Sequence, residues 1–174
     1  MKVALLDRDG TVIIDPDYDR VDSIEKVKLL PRTLDALGHL AAYDYGIIFI
    51  TNQSNIAQGR INENEFLQIH NRVLELIEPS GIDILKTYVC PHGPGDGCAC
   101  RKPEPTMLFE AANEFGFDLA DTYMIGDRLS DIGAGVNAGA KTILVETGKR
   151  PVTSSEATFI APNLLDAARY IVGG

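Results

Sequence analysis

The sequence lacks long apolar runs and has few basic residues. No stretch of the 174 residues approaches the roughly 18 apolar residues of a membrane-spanning helix, and the opening MKVALLDRDG lacks a signal peptide's apolar stretch and cleavage site. Lys and Arg total 16 against 25 Asp and Glu, and the resulting charge of −9 argues against a broad phosphate-binding surface. We therefore expect a cytoplasmic protein that binds neither membranes nor nucleic acids.

Cysteine is also scarce, and low-complexity segments are absent. The three cysteines cannot all pair within one chain, and a reducing compartment does not favour pairing. The length suits one domain with a sizeable core, and the balance of apolar and charged residues is that of a folded protein. We expect one domain over residues 1–174, acting as a monomer.

Apolar runs alternate with segments of helical periodicity. Consecutive apolar residues, rich in β-branched and aromatic types, predict strands at 3–6, 46–50, 85–89, 122–125, 142–145 and 158–161. Helices are predicted at about 63–78, 129–138 and 164–172, and after Pro31 and Pro105; Asn62 and Glu65 have the spacing of a capping box. The alternation predicts a doubly wound α/β sheet, in which ligands bind at the carboxyl ends of the strands.

Polar side chains follow three of these strands directly. Asp7-Arg8-Asp9-Gly10-Thr11 follows the first, Thr51-Asn52-Gln53-Ser54 the second and Gly126-Asp127-Arg128 the fourth. An isolated pair of aspartates is commonly a turn or a helix cap, but independent turns have no reason to fall at successive strand ends. Because Mg²⁺ prefers such oxygen ligands and bridges carboxylates to phosphate, the pattern predicts a magnesium-dependent phosphoryl-transfer site.

The residue types also suggest roles in that chemistry. Asp7 could attack phosphorus to form an aspartyl phosphate, and Asp9 could protonate the leaving alkoxide and then deprotonate water. Thr51, Asn52 and Lys102 could supply the donors and the positive charge that the transferred oxygens require.

A second cluster contains all three cysteines. Cys90, His92, Cys98 and Cys100 provide the ligand types that zinc prefers, within residues 90–100, which we call the zinc loop. The alternative, a chance cluster of buried thiols, fits poorly because this stretch is rich in Gly and Pro. All four positions of a tetrahedral site are filled by protein, so the predicted zinc is structural. The loop would then fix Arg101 and Lys102 near the phosphate site.

The motifs DRDGT, TNQS, Lys102 and GDRLSD resemble, in order, the four motifs of the haloacid dehalogenase superfamily of phosphatases. This resemblance implies a Rossmann-like parallel sheet, with Asp7 as nucleophile and Asp9 as general acid/base. The short stretch between Asp7 and Thr51 leaves room for only a minimal cap. It also implies that Thr51 and Lys102 hold the phosphoryl group and that Asp131 has a supporting role. The implied Mg²⁺ ligands are Asp7, the backbone carbonyl of Asp9, and Asp127.

The zinc loop and the Arg-Lys-Pro after it are similar to two groups of that superfamily, which act on heptose 1,7-bisphosphate and on histidinol phosphate. TNQSNIAQGRI and VETGKRP resemble the first group and favour hydrolysis of the 7-phosphate, a step in envelope polysaccharide precursor synthesis. Arg128 and the short zinc loop resemble the second group, so histidinol phosphate stays an alternative. Residues that resemble substrate contacts are Asp15, Pro16, Asp17, Tyr18, Thr51, Asn52, Gln53, Ser54, Arg101 and Arg128.

A reading of a different class is a zinc-binding interaction domain without catalysis. The presence of Asp7, Asp9, Lys102 and Asp127 argues against it. The favoured partner is therefore a small phosphorylated substrate.

Overall fold

The chain is built around a parallel sheet. The computed structural model describes residues 1–16, 20–149 and 152–173. Its strands are β1 (Lys2–Leu6), β2 (Tyr45–Asn52), β3 (Ile84–Cys90), β4 (Tyr123–Gly126), β5 (Lys141–Val145) and β6 (Phe159–Ala161). All pair in parallel, in the order β3-β2-β1-β4-β5-β6. The strand order reverses between β1 and β4, and such a reversal opens a crevice at the carboxyl ends of the two strands.

Helices connect the strands. They are α1 (Thr33–Ala42), α2 (Ser54–Ala57), α3 (Glu63–Ile77), α4 (Thr106–Phe115), α5 (Leu129–Ala138) and α6 (Leu164–Gly173). The capping box at the start of α3 is confirmed: the Asn62 side chain accepts from the Glu65 N–H at 2.9 Å, and the Glu65 carboxylate accepts from the Asn62 N–H at 2.8 Å. Four-residue α2 was not predicted, since it is too short to show a helical period.

Helices cover both faces of the sheet, which explains the uninterrupted apolar strands. In β1, Ala4 and Leu6 belong to one apolar cluster together with residues of α1, α3 and α6. Val3 and Leu5 point into a second cluster, formed with residues of α4 and α5. Because successive side chains of a strand alternate between faces, each of these residues is buried against helices on its own side.

The described parts of the connections near the crevice contain no separate cap domain. Between β1 and α1, the described part holds a single 3-10 turn, Ile24–Lys26, and between β2 and β3 the chain forms α2, α3 and another 3-10 turn, Glu78–Ser80. The predicted doubly wound fold with a minimal cap is thereby confirmed over the described ranges. Within those ranges, no helix has both the length and the apolar character needed to cross a bilayer.

Candidate active site

Three buried carboxylates meet where β1 and β4 end. Asp7 directly follows β1, Asp127 directly follows β4, and Asp131 lies in the first turn of α5. One oxygen from each lies within 4.8 Å of the others. Gly10 makes this approach possible: its φ is +96°, and a Cβ there would collide with the Asp127 carboxylate, as close as 2.6 Å.

Lys102 is the cation within this carboxylate cluster. Its Nζ lies 2.7 Å from Asp7 Oδ1 and 2.6 Å from Asp131 Oδ1, and it donates to the Ile50 carbonyl at 2.6 Å. Asn52 fixes the backbone of Lys102, donating to its carbonyl and accepting from its N–H, both at 3.1 Å. The end of β2 therefore holds the lysine at the carboxylates.

The charges in this cluster do not balance. Burial and the neighbouring Asp131 raise the pKa of Asp7 well above its usual value, and the same causes raise the pKa of Asp127 to about 6. Burial opposes the charge of Lys102, but Asp131 and Asp7 outweigh it and raise its pKa. Three carboxylates facing one ammonium leave negative charge that a divalent cation would neutralise, so this oxygen donor set fits Mg²⁺.

Asp9 is held by different partners. Its Oδ1 accepts from Arg8 Nε at 2.8 Å, while its Oδ2 accepts from Arg8 Nη2 at 3.1 Å and from Gln53 Nε2 at 2.7 Å. Gln53 Nε2 also donates to Thr51 Oγ1 at 2.8 Å, which links the second strand end to the first. Burial opposes ionisation of Asp9, but Arg8 outweighs it and keeps the pKa of the carboxyl below its ordinary value.

Basic side chains line the cleft that opens above the carboxylates. They are Arg20, Arg101, Lys102, Arg128 and Lys149. Arg128 Nη2 lies 2.6 Å from Asp15 Oδ2, and Lys149 Nζ lies 3.0 Å from Asp15 Oδ1. The Asp15 carboxylate therefore pairs with two cations, Arg128 and Lys149, at the rim of the cleft. The cleft suits a substrate that carries more than one negatively charged group.

The zinc loop brings its three thiols and one imidazole together. The Cys90 sulfur, at the end of β3, lies 2.6 Å from the Cys100 sulfur and 3.7 Å from the Cys98 sulfur, and His92 Nδ1 lies 3.2 Å from the Cys100 sulfur. Burial raises the pKa of Cys90 to about 12, so this thiol would need a metal to become a thiolate. Four convergent donors of these types fit a tetrahedral zinc ion.

Most of the predicted site residues meet at one cleft. Those that line it are Asp7, Asp9, Asp15, Asn52, Gln53, Ser54, Arg101, Lys102, Arg128 and Asp131. Thr51 and Asp127 are buried at its base, and Pro16 is not among the lining residues of the described chain. The predicted contacts Asp17 and Tyr18 lie outside the described residues.

Three basic residues at or beside the cleft were not predicted. Arg8 lies between the two aspartates of DRDGT and could have been found, because an arginine two residues after a buried strand needs a partner. Lys149 lies in VETGKRP, a segment noted for its resemblance but not assigned a function. Arg20 has no signal in the sequence that distinguishes it from a surface residue.

Similarity to known proteins extends over almost the whole chain. A family model described as HAD-hydrolase-like matches residues 99–167. The D-glycero-β-D-manno-heptose-1,7-bisphosphate 7-phosphatase of Pasteurella multocida is 37% identical, covering 99% of this chain and 97% of that protein. The Haemophilus influenzae protein of the same name is 39% identical, covering 95% and 92%.

A solved structure agrees with these relatives. The D,D-heptose 1,7-bisphosphate phosphatase from Bordetella bronchiseptica, complexed with magnesium and phosphate, has a TM-score of 0.91 and 33% identity and covers 99% of both chains. These similarities favour the heptose group over the histidinol group, and a phosphatase over a non-catalytic domain. The chain belongs to the haloacid dehalogenase superfamily of phosphatases, hydrolases that act on phosphate monoesters.

Proposed function

We propose that this phosphatase removes the 7-phosphate of D-glycero-β-D-manno-heptose 1,7-bisphosphate. The observation that carries the reaction is the buried cluster of Asp7, Lys102, Asp127 and Asp131 at the base of a basic cleft. It offers a nucleophilic carboxylate beside a cation and a magnesium-binding set of oxygens. The substrate and its β-anomer are suggested by the names of the two bacterial relatives.

In the first step, an Asp7 carboxylate oxygen attacks phosphorus as the bond to the sugar 7-oxygen breaks. Asp9 transfers its proton to that leaving oxygen, so the sugar departs as a neutral alcohol. The phosphoryl group is then held on Asp7 as an aspartyl phosphate. Thr51, beside Gln53 at the end of β2, and Lys102 would contact the oxygens of the transferred group.

In the second step, Asp9 acts as a base. It takes a proton from a water molecule, whose oxygen attacks phosphorus and releases inorganic phosphate, and Asp7 is regenerated as a carboxylate. Asp7, Asp127 and the Asp9 carbonyl would hold Mg²⁺, which would supply positive charge that reduces repulsion between the phosphate and Asp7. Asp131 would support the site by holding Lys102, since Asp131 Oδ1 lies 2.6 Å from Lys102 Nζ.

The rim of the cleft would hold the second phosphate. Arg101, Arg128 and Lys149 line the cleft, and Arg128 is half-exposed, so it can turn from Asp15 towards a ligand. A guanidinium binds phosphate oxygens through two parallel donors. We therefore expect the rim to distinguish a bisphosphate from a monophosphate, while the 7-phosphate is bound at Asp7.

Zinc in the zinc loop would position the segment that carries two of these cations. Arg101 Nη1 donates to the His92 carbonyl at 2.9 Å, so the residue after the last thiol is tied back to the loop. Lys102 comes next. The expectations of a cytoplasmic location and of a monomer stay predictions.

The reaction is tested by phosphate release together with ³¹P NMR of the products. With Mg²⁺, the wild-type protein should release inorganic phosphate from the β-bisphosphate and leave the sugar 1-phosphate. The Asp7→Asn variant should show no release, while exposed Asp121→Asn provides the matched control. Release by Asp7→Asn at the wild-type rate, or preferential hydrolysis of histidinol phosphate in kcat/KM, would contradict the proposal.

The rim is tested separately with Arg128→Gln. Because a hydrogen bond to a charged group contributes about 1.5–3 kcal/mol, we expect KM for the bisphosphate to rise by roughly 10- to 100-fold. The value of kcat/KM for heptose 7-phosphate, which lacks the second phosphate, should change little. An equal loss for both substrates would mean that Arg128 does not bind the second phosphate.

A further inference from the structure

Arg8 is a fully buried basic residue that the reaction described above does not use. It lies between Asp7 and Asp9, its side chain is 0% exposed, and its Nη1 has no hydrogen-bond partner among the described residues. Burying a guanidinium with an unsatisfied donor is unfavourable for folding. A residue that only filled space after β1 would be more stable as an apolar side chain, so the contacts of Arg8 point to another role.

The Arg8 guanidinium forms a bidentate contact with the Asp9 carboxylate. Nε donates to Oδ1 at 2.8 Å and Nη2 donates to Oδ2 at 3.1 Å, while Gln53 donates to Oδ2 at 2.7 Å. A carboxylate offers about four lone-pair positions, and these donors engage three of them. Among the contacts of the described residues, the remaining position is on Oδ1. That oxygen is the one left able to carry a proton to a substrate.

The Arg8 guanidinium packs against α3. Its Cζ lies 5.3 Å from the centre of the Phe66 ring, and that ring stacks on His70 with 5.8 Å between centroids and an angle of 4° between planes. Phe66 and His70 are both buried in the helix face that covers the sheet. The orientation of Asp9 is therefore tied to a helix instead of depending on a loop.

We propose that Arg8 is a positioning residue, which orients Asp9 so that its Oδ1 delivers a proton to the leaving oxygen. The inference rests on the proposed function, in which Asp9 is the general acid. The proton moves from Asp9 to the oxygen as the phosphorus–oxygen bond breaks, and Arg8 exchanges no proton. Arg8 therefore affects the departure of only those leaving groups that need protonation, while its effect on the second step, in which Asp9 acts as a base, is common to all substrates.

The test compares leaving groups in the Arg8→Gln variant. A sugar alkoxide needs a proton to depart, while p-nitrophenolate is stable without one, and kcat/KM reports the step in which either leaves. General acid catalysis contributes about 10²- to 10⁴-fold, so misplacing the acid should lower kcat/KM for the heptose bisphosphate at least ~10-fold. For p-nitrophenyl phosphate, the decrease in kcat/KM should be no more than ~2-fold, because p-nitrophenolate departs without being protonated by Asp9.

A double-mutant cycle with Asp9→Asn shows whether Arg8 acts through Asp9. If it does, adding Arg8→Gln to Asp9→Asn should cause no further loss with the heptose substrate. Arg8→Lys keeps the buried charge without the bidentate contact, so it should show the same selective loss of kcat/KM for the heptose substrate. This second variant tests the proposal even if Arg8→Gln does not fold. Val73→Ala, a cavity-forming change in the same face of α3, is the control and should affect both substrates equally.

Two results would overturn the positioning role while leaving the proposed function intact. One is an equal loss on both substrates in both Arg8 variants, as a purely structural residue would give. The other is a loss that is as large in the Asp9→Asn background as in the wild type. If Asp9→Asn alone leaves hydrolysis of the heptose bisphosphate unchanged, Asp9 is not the acid, and both the proposed mechanism and this inference fail.

Discussion

Replacing Lys102 by methionine removes the cation of the buried carboxylate cluster while keeping a side chain of similar length. In the native chain, the Lys102 ammonium lies 2.7 Å from Asp7 and 2.6 Å from Asp131. The side chains of Lys102 and Asp131 are 1% exposed and that of Asp7 is 9% exposed. Water therefore cannot replace the lost interactions, and the variant leaves Asp7 and Asp131 without the ammonium that they share.

The size of the effect follows from these distances. At an effective dielectric constant of about 20, each ion pair contributes on the order of 6 kcal/mol before desolvation is counted. Desolvation of the ammonium offsets much of that attraction, and removing one partner of a buried pair typically destabilises by about 3–5 kcal/mol. We expect a decrease of this size in the free energy of unfolding of Lys102→Met at pH 8 without Mg²⁺.

Both Mg²⁺ and a lower pH should reduce the loss of unfolding free energy in Lys102→Met. The variant cluster has a higher negative charge, so saturating Mg²⁺ should stabilise the variant more than the wild type. The pKa of Asp127 is already raised to about 6 by burial and Asp131, and removing a nearby ammonium raises the pKa values of these carboxylates further. Protonation therefore neutralises the cluster as the pH falls, and the loss at pH 6 should be smaller than at pH 8.

Urea unfolding followed by circular dichroism measures this loss, with Lys149→Met as the matched control. Lys149 also pairs with an aspartate of the cleft, at 3.0 Å from Asp15, but its side chain is 25% exposed. Asp15 keeps Arg128 as a second cation, 2.6 Å away, when Lys149 is replaced, so the control should lose less than Lys102→Met. A loss below about 1 kcal/mol in Lys102→Met, as for an exposed pair, would refute the electrostatic argument.

Two further changes test the core and the zinc loop. Burial lowers the pKa of His70 to about 4, so the folded imidazole is neutral while the unfolded one protonates below about pH 6.5. The free energy of unfolding, measured with urea, should therefore fall as the pH drops from 6.5 towards 4. The fall should be steeper in the wild type than in His70→Phe, and parallel plots of unfolding free energy against pH would contradict this. Cys98→Ser should lower both bound zinc, measured by atomic absorption, and phosphatase activity, because Lys102 loses its support; full activity without zinc would disprove the link.

The sequence predicts the elements of the fold well because each has a local signature. β1 and β2 are uninterrupted apolar runs, α3 begins at a capping box, and each predicted strand and helix is found within two residues of its expected bounds where bounds were stated. Local patterns in the sequence indicate neither the short helix α2 nor the order of the strands. Strand order depends on which runs lie side by side, and local patterns carry no information on that.

The site likewise contains residues that the sequence predicts and contacts that it does not. Asp7 and Asp127 could be predicted because strand ends of a parallel sheet share one edge. The contacts that orient the site could not: Asn52 holds Lys102 across 50 residues, and Lys149 reaches Asp15 across 134 residues. The sequence suggests Lys102 as a source of positive charge, but no local pattern indicates that its ammonium lies between Asp7 and Asp131.

Lys102 also connects the two candidate metal centres. On one side, Arg101 is tied to the zinc loop through the His92 carbonyl; on the other, Asn52 at the end of β2 holds the Lys102 backbone. Loss of zinc would release the first support and leave the second, which belongs to the sheet. Helices on both faces supply most of the apolar contacts of the sheet, and the zinc loop adds only its cysteines to one of the two clusters. Zinc removal should therefore reduce the rate of phosphoryl transfer, through the position of Lys102, more than it reduces the stability of the sheet.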